Sequence, residues 1–243
     1  MMQGDREAYD RGTTLFSPDG RLYQVEYARE AVERGAPVVG VRGTDGVALA
    51  ARKPVPSPLM EADGVHKLHR VDDRTLVATA GNVADGRRLV DVVRRRAAGE
   101  RLQYGEPVGA ETLTHHLTDH VQEYTQTGGA RPFGTALLVA GVGRDAGPAL
   151  YEVDPGGTPS EWRATAVGND AAEVRTHLKE TYDDPDAAGA IELALSALAG
   201  NEGLEPETTP VGVVDAGEGD SGVRRLETAA VRDRLAELDL LAS

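Results

Sequence analysis

The sequence SPDGRLYQVEYAREAV, residues 17–32, stands ahead of every strand-like segment of the chain. It opens with Ser, Pro, Asp and Gly at residues 17–20, the residue types of a tight turn. A helix of about 15 residues is predicted to follow and to stop at Gly35, because apolar side chains recur at helical spacing: Leu22, Val25, Ala28 and Val32. A helix placed before any strand is expected to cover a surface that the later elements build.

Composition indicates a globular protein that can bury a substantial core. The chain has 243 residues, 40% of them hydrophobic, and a mean hydropathy of -0.36. It has no cysteine, which excludes disulfides and thiol catalysis. No run reaches the roughly 18 apolar residues of a membrane span, and the N-terminal MMQGDREAYD lacks the apolar stretch of a secretory signal. We expect a soluble, cytoplasmic chain with no cofactor and no membrane partner.

The charge balance is strongly acidic. Asp and Glu total 40 against 26 Lys and Arg, which gives a net charge of -14, and only three of the basic residues are lysine. A carboxylate-rich, lysine-poor surface is typical of proteins that work at high salt, where screening over ~3 Å at ~1 M suppresses self-repulsion. Ordinary acidic drift is the alternative explanation. In both cases the charge disfavours nucleic acid as a partner.

The order of elements predicts two antiparallel sheets stacked face to face, with helices on the outside, in one domain over residues 1–243. The first helix is followed by four strands, two helices, three strands, two helices, two strands and a helix. The predicted strands are 38–42, 47–52, 65–71, 75–80, 135–142, 149–153, 162–167, 211–215 and 223–226. The later helices are 85–98, 110–125, 170–182, 186–198 and 228–241, with Gly99 as a stop and Asp186 and Thr228 as N-terminal caps.

Two clusters of polar side chains have simpler interpretations than the sites they suggest. A histidine group on one predicted helix could bind a metal, but Leu117 stands where the zinc-protease motif needs Glu, so solvated or inter-helix histidines are favoured. A run of arginines is spread around another helix, which favours ion pairs within the helix or between subunits over phosphate binding. The two clusters are His115, His116, Asp119 and His120, and Arg87, Arg88, Arg94, Arg95, Arg96 and Arg101.

The dipeptide Gly12-Thr13 suggests a protease that is processed to expose an N-terminal threonine nucleophile. A strand should then follow at once. Instead a turn and a helix follow, and the first predicted strand begins at Val38. A catalytic threonine protease processed at Gly12-Thr13 is kept as the alternative, together with a stand-alone acidic binding protein of 25.7 kDa.

The N-terminal string YDRGTTLFSPDGRLYQVEYAREAV, residues 9–32, closely resembles the signature of proteasome α-subunits, in particular archaeal ones. Further matching segments extend the resemblance over almost the whole chain. They are GVHKLHRVDD at 64–73, TAGNVADGR at 79–87, YTQTGGARPFGTALLVAG at 124–141 and TAVGNDA at 165–171.

The resemblance implies the four-layer αββα sandwich of Ntn-hydrolase-like proteins and a place in a ring. In this family seven α-type subunits form each outer ring of a barrel whose inner β-subunits are proteolytic, and an activating AAA ATPase delivers unfolded substrates. The β-type catalytic threonine would align near Ala36 and its acidic partner near Arg52. Because neither residue type is present there, the resemblance implies a non-catalytic subunit of a threonine protease complex, with no catalytic residue and no metal.

The resemblance also assigns residues to two sites. The segment 1–12 is expected to gate the pore and 17–35 to hold the N-terminal helix. The gate cluster comprises Tyr9, Asp10, Arg11, Pro18 and Tyr27. A pocket for the C-terminal carboxylate of the ATPase comprises Lys67, Glu26, Gly35, Gly81 and Asn82, where Asn82 replaces a residue that is often apolar in relatives and so makes the wall more polar.

Overall fold

Ten strands and six α-helices occupy the residues that the computed structural model describes, 22–57, 59–126, 131–143, 146–215 and 222–242. The strands are β1 Val38–Arg42, β2 Gly46–Ala51, β3 Leu68–Arg70, β4 Thr75–Gly81, β5 Thr135–Val142, β6 Pro148–Val153, β7 Pro159–Glu161, β8 Ala164–Val167, β9 Val211–Asp215 and β10 Val223–Arg225. The helices are α1 Tyr23–Glu33, α2 Val83–Tyr104, α3 Ala110–Gln126, α4 Ala171–Thr181, α5 Ala187–Ala199 and α6 Thr228–Glu237. Short 3₁₀ turns lie at Ala62–Gly64 and Pro206–Thr208.

The strands form two five-stranded sheets in which every neighbouring pair is antiparallel. Sheet A has the order β10-β9-β2-β1-β8 and sheet B the order β3-β4-β5-β6-β7. Three apolar layers separate the elements: one between sheet A and helices α4 to α6, one between the sheets, and one between sheet B and helices α2 and α3. The predicted αββα sandwich is confirmed.

Strand β2 shows why several strands appear in the sequence as uninterrupted runs of apolar residues. Successive side chains of a strand point to opposite faces of the sheet. Val47 and Leu49 lie in the core between the sheets, whereas Ala48 and Ala50 pack in the layer that includes helix α5. Both faces of the strand are therefore buried, and no polar residue interrupts it.

Helix α1 covers one end of the sandwich. Its buried residues are Val25, Ala28 and Val32, and Val32 joins the core between the two sheets. The predicted covering role of this helix is confirmed. The helix begins at Tyr23 within the described residues, and the predicted turn at 17–20 lies outside them.

The predicted end of helix α2 at Gly99 is wrong. The helix continues to Tyr104, and Gly105, with a φ of 79°, provides the left-handed C-terminal cap. Gly99 lies on the exposed side of the helix. A single glycine inside a helix costs about 1 kcal/mol relative to alanine, which packing of the same helix through Leu89 and Val93 easily exceeds.

Other boundaries also differ from the prediction. The segment predicted as one strand at 162–167 contains only β8, and the preceding strand β7 was missed because Pro159–Glu161 is short and has no large apolar side chain. The strand predicted at 65–71 is reduced to β3, and helix α6 ends at Glu237 rather than Leu241.

Of the two predicted helix caps, the one at Asp186 is confirmed, since its Oδ1 accepts from the Gly189 N–H at 2.8 Å. The predicted Thr228 cap is wrong. The residue at the cap position of α6 is Glu227, and its side chain makes no capping hydrogen bond.

Within the described part of the chain, no helix combines the length and the apolar character that crossing a membrane requires. One domain over residues 1–243 stays a prediction, because the first 21 residues lie outside the described part.

Candidate docking pocket around Lys67

Lys67 directly precedes strand β3 and is buried, with 5% of the residue exposed. Its Nζ donates a 2.9 Å hydrogen bond to the carbonyl oxygen of Ala36, and among the described residues no carboxylate pairs with it. Loss of hydration lowers the pKa of this amine to about 8. An ammonium has three donors. Two of them remain available to an acceptor that comes from outside the described residues.

Gly35 and Gly81 bring the end of helix α1 against the end of strand β4. A Cβ on Gly35 would stand 2.3 Å from the Gly81 nitrogen, and Gly81 itself has a φ of 105°, which side-chain-bearing residues rarely adopt. Only two glycines allow the backbones to approach this closely. The contact holds Ala36, whose carbonyl oxygen accepts the hydrogen bond from Lys67, beside sheet B.

Asn82 caps helix α2, next to this contact. Its Oδ1 accepts from the backbone N–H groups of Ala84 and Asp85 at 3.0 and 3.1 Å. An apolar residue at this position would leave those donors without a side-chain partner. The polar residue noticed in the sequence therefore has a structural role as a helix cap, which the sequence pattern did not reveal.

Asp85 fixes the same corner and was not found by sequence reasoning. Its carboxylate accepts from Arg131 Nη1 and Nη2 at 2.6 and 2.8 Å and from the Gly134 N–H at 2.9 Å. Burial alone would raise the pKa of Asp85, but the bonds from Arg131 and Gly134 hold it below its usual value. Arg131 and Asp85 stand 46 positions apart in the chain, so no local motif signals the pair.

Glu26 and Tyr27 lie on the outer side of helix α1. Glu26 pairs with Arg29 at 2.7 Å, and Arg29 also pairs with Asp154 at 2.7 Å. These contacts fasten the helix to the end of strand β6 and leave Glu26 outside the hydrogen-bond set of Lys67. Tyr27 is 46% exposed. The other gate residues assigned from the resemblance lie outside the described residues, as does Gly12-Thr13: they are Tyr9, Asp10, Arg11 and Pro18.

The start of strand β1 carries no nucleophile. Ala36 contributes its carbonyl to Lys67, and Pro37 follows it. Arg52 donates to the carbonyl oxygens of Leu198, Ala199 and Gly203 at 3.1 to 3.2 Å, so its guanidinium holds the C-terminal end of helix α5. Both positions serve the packing of the sandwich.

The histidines on helix α3 are spread among different surroundings. His115 stands 3.9 Å from Glu111 on the exposed side, while the ring of His120 packs against Tyr124 and Phe133. Within the described ranges no group of three or more metal-ligating side chains could hold an ion.

The arginines of helix α2 have several kinds of partner. Arg96 pairs with Glu100 one turn along the helix, and Arg101 pairs with Asp73. Arg88 lies over the ring of Tyr124 at 4.8 Å. The ion pair within the helix, favoured from the sequence, is confirmed for Arg96.

Comparison with known proteins identifies the family. A model of proteasome subunits matches residues 32–210, and a model of the N-terminal signature of A-type proteasome subunits matches residues 9–31. The chain belongs to the proteasome subunit family, as an α-type member. In this α-type subunit the two matched regions meet inside helix α1, and the Ala36 carbonyl that accepts from Lys67 follows shortly after that helix.

Named relatives of this α-type subunit come from halophilic archaea. Proteasome subunit alpha 1 of Haloarcula marismortui is 52% identical over 98% of the chain and 92% of its own length. Proteasome subunit alpha of Natronomonas pharaonis is 50% identical over 98% and 94%, and proteasome subunit alpha 1 of Haloferax volcanii is 54% identical over 88% and 86%. The resemblance seen in the sequence is confirmed.

Proposed function

We propose that this α-type subunit is a non-catalytic member of the outer heptameric ring of an archaeal 20S proteasome core in the cytoplasm. In this proposal its N-terminal segment gates substrate entry, and Lys67 receives the C-terminus of an activating AAA ATPase. The observation that carries the proposal is the buried Lys67 ammonium, whose hydrogen-bond partner among the described residues is one backbone carbonyl.

A carboxylate is the group that this lysine lacks. A buried charge without a counter-ion is costly, by several kcal/mol in typical proteins, and a charge-assisted bond to a carboxylate offsets that cost. A chain terminus can enter a narrow pocket with its carboxylate leading, as in other complexes where backbone groups and a cation capture a C-terminus. Docking at Lys67 would thus be favourable because it completes an existing site.

The position of the pocket supports a link to gating. The partner of Lys67 is Ala36, and the adjacent Gly35 is in direct backbone contact with Gly81 at the end of helix α1. A group that enters here would press on the C-terminal end of a helix whose other end leads into residues 1–21. A small displacement of α1 would then be passed to the segment that the resemblance assigns to the gate.

The start of strand β1 supports a non-catalytic role. A threonine protease of this fold family needs its nucleophile at the position of Ala36, where a methyl group cannot attack a peptide bond. Arg52, at the position of the acidic partner, is held by three backbone carbonyls. Proteolysis would then depend on β-subunits within the particle, whose other partners are further α-subunits, the ATPase and unfolded substrates in transit.

The docking proposal is tested in particles assembled with β-subunits, by measuring ATPase-stimulated degradation of an unfolded protein. Lys67→Ala should abolish the stimulation while electron microscopy still shows rings. The matched control is Lys179→Ala, because Lys179 is an exposed lysine on helix α4. Stimulation that survives Lys67→Ala would show that the pocket is wrongly assigned.

The gate is tested by deleting residues 2–12, which should speed the degradation of short unstructured peptides without the ATPase. An unchanged rate would count against gating by this segment. N-terminal sequencing of the mature chain separates the catalytic alternative: a chain that begins at Thr13 and loses activity on Thr13→Ala would be a protease in its own right.

A further inference from the structure

A basic cluster lies at one edge of the sandwich. Strand β3 is the edge strand of sheet B and β10 that of sheet A. Arg94 on helix α2 donates through Nε to the Arg70 carbonyl at 2.9 Å, and Arg225 on β10 donates through Nη2 to the Leu68 carbonyl. These carbonyls flank His69, and both arginines act on its charge; we call Arg94, Arg225 and His69 the arginine notch.

The two arginines of the notch lack an acidic partner among the described residues. Their neighbours differ in this respect: Arg70 and Arg101 both pair with Asp73, and Arg224 pairs with Asp215. Within the same part of the chain, Arg94 and Arg225 each donate to one backbone oxygen. A guanidinium has five N–H donors, so most of the donors of each arginine remain available.

The pKa values of Arg225 and His69 are shifted in the direction that burial and nearby positive charge produce. Burial first, and then the nearby Arg94, lowers the pKa of Arg225. Burial, followed by Arg94 and Arg225, lowers the pKa of His69 to about 4, so the imidazole stays neutral between the two charges. In a chain with a net charge of -14, two neighbouring arginines without an acidic partner in the described residues form a local site of positive charge.

We propose that the arginine notch binds a carboxylate of a second copy of this chain within the ring. Two neighbouring guanidinium groups can both donate to one carboxylate and hold it more firmly than a single charge does. The second copy is the favoured occupant because its surface is rich in such groups: Asp and Glu number 40 of the 243 residues. This inference rests on the ring of the proposed function.

The manner of contact follows from the strand edge. An uncovered edge strand can pair with a strand of another molecule. At β3 the outward carbonyls of Leu68 and Arg70 are already occupied by arginines, so a neighbouring copy cannot add a strand there and must contact the edge through side chains. In a closed ring of identical copies this edge meets a different surface of the next copy, so each notch takes one carboxylate.

The first test measures ring assembly of the full chain in a dilution series, by sedimentation in ~1 M salt, where exposed charges are screened over ~3 Å. Arg94→Gln with Arg225→Gln removes both charges; the shorter amide can replace the Arg94 Nε donor to Arg70 but not the Arg225 Nη2 donor to Leu68. The concentration needed for half assembly should rise by at least ~tenfold. Arg87→Gln with Arg95→Gln is the matched control, since both are exposed arginines of α2, and it should leave assembly unchanged.

Thermal unfolding of the isolated chain separates folding from assembly. Equal assembly of the notch variant and the control variant would overturn the proposal, as would a loss of chain stability without a change in assembly, since the carboxylate would then come from the same chain. If the unaltered chain forms no rings at all, the proposed function fails; if it forms rings that do not depend on the notch, only this inference fails.

A second measurement leaves the arginines in place. Because the chain has no cysteine, Ala98→Cys puts a single thiol on α2 one turn after Arg94, at an exposed position. Its alkylation by a maleimide should slow by ~tenfold or more when rings form, since access would need local separation of the copies. Lys179→Cys on helix α4 is the reference thiol. Equal reactivity of Ala98→Cys in chains and in rings would contradict the proposal.

Discussion

Lys67 combines a full positive charge with an almost complete loss of water, and this makes its cost to folding depend on pH. The pKa of the amine is about 8 in the folded chain against a reference of 10.5. Between these values the unfolded chain binds more protons than the folded chain does. The destabilisation is therefore fully present below pH 8 and disappears as pH rises towards 10.5.

Lys67→Met should accordingly stabilise the isolated chain near neutral pH. An apolar side chain of similar length removes the buried charge, and we expect a gain of about 2 kcal/mol in the free energy of unfolding at about pH 7. The gain should shrink as pH rises above about 8 and be largely lost only above about pH 10.5, where the lysine is neutral in the unfolded chain as well. Urea unfolding at both pH values measures it.

The reference for this experiment is Lys179→Met, which alters an exposed lysine and should change stability little at either pH. If Lys67→Met is less stable than the unaltered chain at neutral pH, the ammonium is compensated in solution and the docking argument loses its basis.

Sequence reasoning could find Lys67 but not its environment. The residue stood out through the resemblance and because lysine is rare in the chain. Its burial and its partner Ala36 depend on contacts across 31 positions of the chain. The Asp85–Arg131 pair was missed for the same reason, since tertiary packing rather than a local pattern brings these residues together.

At the scale of elements, the helix caps separate a correct prediction from a wrong one. Asp186 accepts from the Gly189 N–H at the start of α5, whereas Thr228 opens α6 without capping it. Asp186→Ala should therefore lower the free energy of unfolding by about 1 kcal/mol. Thr228→Ala should change it by less than about 0.5 kcal/mol. Equal effects of both variants would contradict the assignment of the caps.

The interior of helix α2 offers a stabilising substitution. Gly99 is exposed, and a Cβ built on it meets nothing within 4 Å. Gly99→Ala should raise the free energy of unfolding by about 0.5–1 kcal/mol, because alanine loses less backbone entropy in a helix. Gly35→Ala, where a Cβ would clash with Gly81, should do the opposite. Thermal unfolding of both variants tests the pair, and a destabilising Gly99→Ala would contradict it.

Which elements could be predicted depends on their burial. Strands β1, β5 and β9 were predicted with correct bounds, because they are apolar runs between turn residues. Strand β7 was missed because its three residues at a sheet edge pair only with β6 and bury little. The predicted end of α2 was wrong because packing of the buried face of this helix outweighs the small cost of one glycine in its interior.

At the scale of the whole molecule, helix α1 and the two sheet edges distinguish the surfaces of the sandwich. Helix α1 closes the end that contains Lys67, and its apolar face continues the core between the sheets. The arginine notch lies at the edge formed by β3 and β10, and strands β7 and β8 form the opposite edges. The proposed docking site and the arginine notch adjoin at strand β3, since Lys67 stands two residues before His69, so each variant should be measured for both ring assembly and stimulated degradation.

The net charge of -14 predicts that salt stabilises the chain. Raising the ionic strength from ~0.1 M to ~1 M shortens the screening length from ~10 Å to ~3 Å, which suppresses repulsion between carboxylates. The ion pairs that salt also weakens are mostly exposed, such as Arg34–Glu30 and Arg232–Glu207, and contribute little each. We expect a gain of about 2 kcal/mol in the free energy of unfolding, or roughly 5 °C in the midpoint.

Salt acts on proteins in other ways than screening, so a charge variant is the control for this last prediction. Glu106, Glu180 and Glu237 are exposed and form no ion pair among the described residues. Changing all three to Gln removes three negative charges and should flatten the dependence of the midpoint on salt, mainly by raising stability in dilute buffer. A chain that is as stable in dilute buffer as in ~1 M salt, or a variant with an unchanged slope, would show that self-repulsion does not limit its stability.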